Sequence, residues 1–385
     1  NRMKCRRCGN EDPAWFYHGH KGWYCRRCIG FGRMMAEDEQ EGSIRHESSI
    51  GAQEYSLKYD LTPWQQKLSD ECRHSVKHHD VLLDCVCGAG KTELVVGAIS
   101  DALRAKKRVC FAIARRQVVL EVAERLSQYF NKAKVVAVCG GHTNDLDGDL
   151  IVCTTHQLFR YGHTFDLLIL DEPDAFPYRG DPVLHSIAAN SCIGHVIYLS
   201  ATPDEELKTR VKEGTLVHLK LNVRPQGTPI PVPNIVVAPM LAAVCILLVW
   251  LKEHGSHGRM VFVPTISMAG WLGRLLSVRE ECFVLTSKTE NRDAVIEKFR
   301  QSNAGLIVAT TVLERGVTFP DVDVCVFHAD HGVFDESSLI QMAGRAGRNF
   351  FNPYGDILFL CMQKSAAAIA CRKTLENANA MSDVS

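Results

Sequence analysis

From residue 80 onward, short runs of apolar, largely β-branched residues alternate with longer stretches in which apolar positions recur every three or four residues. The runs are "DVLLDCV", "RVCFAI", "KVVAV", "DLIVCTT", "FDLLILDE" and "HVIYLSAT", then, after residue 233, "NIVVA", "RMVFVPT", "CFVLTS", "AGLIVATT", "DVCVFHAD" and "DILFLCM". "TELVVGAISDALRAK" and "RDAVIEKFRQS" carry helical spacing between them. Strand, helix, strand at this spacing requires crossover connections and hence parallel pairing. The nearly continuous apolar character of the runs means that both faces of each sheet are covered. The predicted fold class is α/β with parallel sheets.

The alternation breaks once, at "NVRPQGTPIPVPN", where four prolines and a glycine can continue neither a helix nor a central strand. A second break is the acidic "AEDEQE" followed by the polar "GSIRHESSIG". The expected division is a cysteine-bearing module at 1–35, a polar tether at 36–54, one α/β domain at 55–222, a Pro-rich linker at 223–234, a second α/β domain at 235–376 and a tail at 377–385. "IVVAPMLAAVCILLVWL", Ile235–Leu251, is the one membrane-like stretch; it falls short of spanning length and is broken by Pro239. It reads as a short buried strand followed by a buried helix. The amino-terminal "NRMKCRRC" has no apolar run and reads as no secretory signal.

Composition changes this picture in two respects. Lys plus Arg and Asp plus Glu both number 44, which excludes a uniformly basic coat, so any polyanion-binding surface is local; the first 35 residues are rich in Lys and Arg. Of the 16 cysteines, four form two Cys-Arg-Arg-Cys pairs and the rest are scattered through apolar or motif-like segments, a usage that fits a reducing compartment.

Chemistry is carried first by "DCVCGAGKTE", which lies between an apolar run and a helical pattern. Gly88 and Gly90, with Ala89 between them, let backbone N–H groups wrap a phosphate. Lys91 reaches its terminal oxygens and Thr92 ligates Mg²⁺ from the helix N-terminus, with Glu93 beside it. Cys85 stands where the Walker A pattern has its first glycine. "LLILDE" then ends a run in Asp171 and Glu172, the form needed for a metal-holding carboxylate and a water-orienting acid. "LSATP" offers the Ser200 and Thr202 hydroxyls after another run, where they could sense the nucleotide state. In "QMAGRAGR", Gln341 precedes Arg345 and Arg348, whose spacing of three places them on one helical face to deliver charge to a γ-phosphate. The pairs Cys5/Cys8 and Cys25/Cys28 are separated by sixteen residues and can converge on one tetrahedral Zn²⁺. Arg6, Arg7, Arg26 and Arg27, with Trp15, Phe16, Trp23 and Tyr24, are either nucleic-acid-facing or part of zinc-ribbon packing, and the sequence leaves both open.

In this order the motifs resemble those of superfamily 2 helicases and translocases, which implies two tandem RecA-like domains with ATP and Mg²⁺ in the cleft between them. The resemblance makes Gln65 in "LTPWQQ" the adenine reader and adds Gly316 of "ATTVLERGVTFP" to the nucleotide site. It also implies single-strand contacts at Arg115, Gly140, Gly141, Thr154, Thr155, Thr265, Thr310 and Thr311. With the four-cysteine head, the "D-A-F-P" after the acidic pair and the "L-E-R-G-V-T-F" run, nearly the whole chain resembles the ComFA family of DNA-uptake ATPases from naturally competent Gram-positive bacteria. That implies a DNA-stimulated ATPase moving single-stranded DNA inward at the cytoplasmic face of the membrane. Its partners would be a separate membrane DNA channel, other competence proteins and a possible second copy of the chain. A duplex-unwinding helicase and a zinc-bearing scaffold with a regulatory ATP site are the alternatives.

Overall fold

The computed structural model describes residues 3–36, 48–85, 90–175, 178–221, 229–310, 322–346 and 355–382. The chain forms two compact units, the first holding Asn1–Cys85 and Gly90–Leu221 and the second Asn222–Ser385.

The first unit opens with an antiparallel hairpin, β1 (Phe16–Gly19) and β2 (Gly22–Cys25). Then follow α1 (Pro63–Ser75), β3 (Val81–Cys85), α2 (Lys91–Arg104), β4 (Val109–Ile113), α3 (Arg116–Tyr129), β5 (Val135–Val138), β6 (Leu150–Thr154), a 3₁₀ turn (Thr155–Arg160), β7 (Phe165–Asp171), α4 (Pro182–Ser191), β8 (Cys192–Ser200), α5 (Glu205–Lys212) and β9 (Val217–Leu221). The seven strands β3 to β9 pair in parallel in the order β5-β6-β4-β7-β8-β3-β9. The second unit contains β10 (Asn234–Val237), α6 (Met240–Glu253), β11 (Gly258–Phe262), α7 (Ile266–Ser277), β12 (Cys282–Leu285), α8 (Arg292–Gln301), β13 (Leu306–Ala309), β14 (Val322–Phe327), α9 (Glu336–Ala343), β15 (Ile357–Cys361) and α10 (Ala366–Ser382). Its sheet is also wholly parallel, in the order β10-β15-β14-β11-β13-β12.

Local chemistry sets the helix starts. Thr62 caps α1 in a reciprocal box with Gln65, followed by Pro63 at the first helical position; Asp181 and Pro182 do the same for α4 without the box. Asp204 caps α5, which has Glu205 and Glu206 in its first turn and Arg210 and Lys212 in its last, matching the helix dipole at both ends. Central strands such as β4 and β11 are buried along their whole length, because helices cover both faces.

Two expectations change. The helix predicted to be buried, α6, buries Ala243, Leu247, Trp250 and Leu251 but leaves Leu241 83% exposed, with Cys245 and Val249 on the same exposed stripe. At three and four residues' spacing, one side of the helix is met by its own sheet and the other is not. Of the predicted tether, residues 48–54 lie against the first unit: Ser49 N–H donates to Asp149, Ala52 is buried and the Gln53 carbonyl accepts from Ser100. The cysteine module packs on the same unit, sharing a core with β6, the 3₁₀ turn and α4.

Candidate nucleotide, zinc and strand-end sites

In a parallel sheet all strands end on one edge, and ligands bind outside that edge where strand order reverses. In the first unit β3 lies between β8 and β9, far in the sheet from β4, so the order reverses beside β3. The Walker-like loop leaves β3 here and enters α2 at Gly90, whose φ of 76° is left-handed and suits glycine. A Cβ on Gly90 would lie 2.8 Å from the Gln65 amide nitrogen, so a side chain at this position would fill the cradle. Gly88 and Ala89 lie outside the described residues. Lys91 and Thr92 begin α2 half-buried. Glu93 is engaged elsewhere: Tyr129 Oη donates to it at 2.8 Å and Arg125 lies 3.6 Å away.

Asp171 ends β7, in register with Ile113 of β4 and Leu199 of β8. Burial, then the Glu172 charge beside it, pushes its carboxyl up to about 7, with Lys91 pulling the other way. A carboxylate so placed gains from a cation, and the Walker lysine is the opposing charge that acts on it. Glu172 has a φ of 52°, uncommon for a residue with a side chain; its N–H donates to Leu199 O at 2.9 Å. The donor set fits Mg-ATP: amides at a helix start, a lysine, a threonine and a carboxylate at the end of β7, one strand removed from β3.

Asp174, three residues beyond Asp171, is a functional candidate that the sequence reading missed. It is 3% exposed and accepts from Ser200 Oγ at 3.0 Å and Thr202 Oγ1 at 2.6 Å, while Ser200 Oγ also accepts from Thr202 N–H at 3.0 Å. The hydroxyls read as nucleotide sensors are thus tied to the acidic turn itself. The only signal was a third acid in "DEPD". Phe176 and Pro177 of that stretch lie outside the described residues.

The single-strand candidates of the first unit occupy the other half of the same edge. Arg115 follows β4, Gly140 and Gly141 form the turn after β5, and Thr154 and Thr155 end β6, with Thr154 in register with Ile113. Gly141 has a φ of 82° and Gly140 is exposed. Thr155 is buried, and its hydroxyl has no hydrogen-bond partner among the described residues. In the second unit Thr265 caps α7, accepting from Met268 N–H at 3.1 Å, and Thr310 follows β13, the neighbour of β11. Thr311 and Gly316 lie outside the described residues. Gln341 is buried in α9, but the helix ends at Ala343. Arg345 therefore sits in the turn beyond it rather than on a helical face; Arg348 lies outside the described residues. Gly344 N–H still donates to Ile340 O in the helical pattern, and the Arg345 and Ala346 N–H groups then donate to Met342 O and Ala343 O, tightening the chain into the turn.

The four cysteines meet. Cys5 and Cys28 Sγ are 3.7 Å apart, Cys8 and Cys25 3.8 Å, and all four sulfurs lie within 4.8 Å of one another in a buried cluster. Zn–S bonds of about 2.3 Å make a tetrahedron with edges of about 3.8 Å, so the set fits Zn²⁺. Hydrogen bonding from Cys28 holds the Cys5 thiol far below its ordinary value and raises that of Cys28, a division of protons that a divalent cation replaces with four thiolates.

These two sheets and the edge that carries Lys91, Asp171 and Asp174 define a helicase-like ATPase of superfamily 2, with two RecA-like domains. Residues 58–205 match the family described as Type III restriction enzyme, res subunit, and 240–350 match Helicase conserved C-terminal domain. The fold is similar to that of S. cerevisiae Dbp5 bound to RNA and ADP BeF3, with a TM-score of 0.64 and 16% identity over 83% of this chain and 91% of that one. It is also similar to RecG bound to a three-way DNA junction, with a TM-score of 0.61 and 21% identity over 85% of this chain and 47% of that one. Over 98% of its length the chain is 33% identical to competence protein ComFA of Bacillus subtilis (strain 168), covering 86% of that protein. It is likewise 33% identical to ComFA of Streptococcus pneumoniae (strain ATCC BAA-255 / R6), over 93% of this chain and 86% of that one. The chain belongs to the ComFA family of competence proteins. Among the described residues no helix is long and apolar enough to cross a membrane.

Proposed function

We propose that this protein is a DNA-stimulated ATPase that translocates single-stranded DNA inward during natural transformation, as a peripheral protein at the inner face of the cell membrane. It would work beside a membrane DNA channel and other competence proteins. The observation that carries this reading is the division of one sheet edge: nucleotide-site residues end β3, β7 and β8, while small and polar strand-end residues occupy β4, β5 and β6. Such a layout lets a change at Asp171 reach Arg115 and Thr154 through the single strand β4.

In this reading Gly88, Ala89, Gly90 and Lys91 hold the phosphates, and Gln65 recognises the base. Thr92 and Asp171 would hold Mg²⁺, which would offset the negative charge of the phosphates. Glu172 orients the attacking water; Arg345 and Arg348 supply charge to the γ-phosphate, with the neutral amide of Gln341 and the backbone of Gly316 alongside. Asp174 passes the occupancy of the site to the Ser200–Thr202 turn. Thr265, Thr310 and Thr311 extend the grip on the strand.

The deciding experiment is ATP hydrolysis measured with and without single-stranded DNA. Turnover is expected to rise on DNA addition and to vanish in Lys91→Ala with an unchanged thermal midpoint. Full turnover in that variant, or equal turnover with and without DNA, overturns the reading. A strand-displacement assay separates translocation from duplex unwinding.

A further inference from the structure

We propose that the exposed aromatic surface of the zinc module is a stacking platform for single-stranded DNA, extending the row of strand-end residues in the first domain; it rests on the single-strand reading above. Two uses for the module's aromatics are open in the sequence, and burial divides them. Phe16 is buried in the core shared with the domain, and Phe31 packs against it, so these rings serve packing. Trp15, Tyr17 and Trp23 do not: they are 47%, 53% and 45% exposed. Trp15 ends the 3₁₀ turn that leads into the hairpin, and Tyr17 and Trp23 stand on the hairpin's two faces, an exposure of three large rings on one small module that packing does not explain.

Their arrangement suits bases. Tyr17 and Tyr24 face each other across the hairpin at 5.7 Å, with the Arg33 guanidinium 5.2 Å from the Tyr24 ring; His18 and Trp23 pair at 5.1 Å. Around them Lys4, Arg6, Lys21, Arg26 and Arg33 are exposed. Over residues 3–36, seven lysines and arginines stand against two carboxylates. The surplus stays positive even after the two negative charges of a zinc tetrathiolate. A protein-docking surface has a core depleted in charge, whereas rings interleaved with cations match a flexible polyanion with unpaired bases.

The module's seat supplies continuity. Phe31 stacks on His156 at 4.6 Å and lies 5.5 Å from Phe159, Arg7 sits 5.3 Å from the Phe159 ring, and Asn190 donates to the Arg6 and Arg7 carbonyls. His156 follows Thr155 directly, so the module is fixed to the turn that carries the strand-end threonines.

The test uses the full-length, zinc-loaded chain and fluorescence anisotropy with a short and a long oligothymidylate. Replacing Trp15, Tyr17 and Trp23 singly with Ala is expected to weaken binding of the long oligomer about tenfold per ring while leaving the short one, zinc content and DNA-free ATP turnover unchanged. Lys21→Gln with Arg26→Gln leaves the rings in place and is expected to lower the salt dependence of long-oligomer binding by about one counterion per charge removed. Wild type that binds neither oligomer overturns the single-strand reading itself. Wild type that binds both, with ring variants that bind equally well, overturns the platform alone, and loss of a competence-protein partner in those variants would assign the surface to protein docking.

Discussion

Asp174 shows what a single carboxylate does when two hydroxyls depend on it. Its two oxygens serve Ser200 and Thr202 separately; Asp174 and Ser200 are buried and Thr202 is half-buried. Removing the acceptor leaves the buried Ser200 hydroxyl without its partner, at about 1–3 kcal/mol, and the half-buried Thr202 hydroxyl at a smaller cost because water can reach it. Asp174→Ala is therefore expected to lower stability by about 3 kcal/mol in denaturant titration. ATP hydrolysis should become less responsive to DNA than in Asp174→Asn, which keeps one acceptor oxygen; equal stability of both variants with wild type would refute this tie. At this scale the sequence was legible where chemistry sets residue type, as at Lys91 and Asp171. Where conformation decides, it was silent: nothing in "LDEP" announces a left-handed Glu172.

At the scale of elements, α1 clamps α2. Arg73 donates two hydrogen bonds to Asp101, at 2.8 and 2.9 Å, and its side chain crosses so near Gly97 that a Cβ there would lie 2.8 Å from Arg73 Cδ. The hydrogen-bonded guanidinium lowers the Asp101 carboxyl below its ordinary value of about 3.9. A carboxyl lowered on folding adds stability above its unfolded-state value and loses that contribution as pH falls through the folded-state value. Arg73→Met is thus expected to cost about 1 kcal/mol at pH 7, a small figure because the pair is partly solvated. That difference should shrink progressively below about pH 4, measured by urea titration at several pH values; a pH-independent loss would assign the effect to packing. The strand β9, absent from the predicted runs, has the same logic in reverse. "VHLKL" alternates because β9 is a sheet edge with His218 and Lys220 facing out, so it lacks the continuous apolar run that marks its neighbours. The exposed stripe of α6 was hidden for the opposite reason: a helix apolar all round carries no period to show which side is covered.

For the whole molecule, the α/β class was legible because crossover topology imprints itself as alternation. The seat of the zinc module was not, since it depends on side chains distant in sequence: Phe31 with His156, and Arg7 with Phe159. Metal removal tests that seat. Dialysis against a strong chelator, or Cys25→Ser, is expected to lower the thermal midpoint and to speed hydrogen exchange across residues 155–160, far from the metal in sequence. Unchanged exchange there would mean that module and turn are independent.

The seat also bears on how the chain is made. Cys28 leaves the ribosome about 130–160 residues before the 3₁₀ turn and α4 that complete its docking surface. At about 5–20 residues per second the hairpin waits roughly 6–30 s with nothing to pack against. A metal ion held by its own four sulfurs would give a segment this short a means of staying folded during the delay, so zinc supply during synthesis, and not only afterwards, is expected to set how much chain reaches its native form.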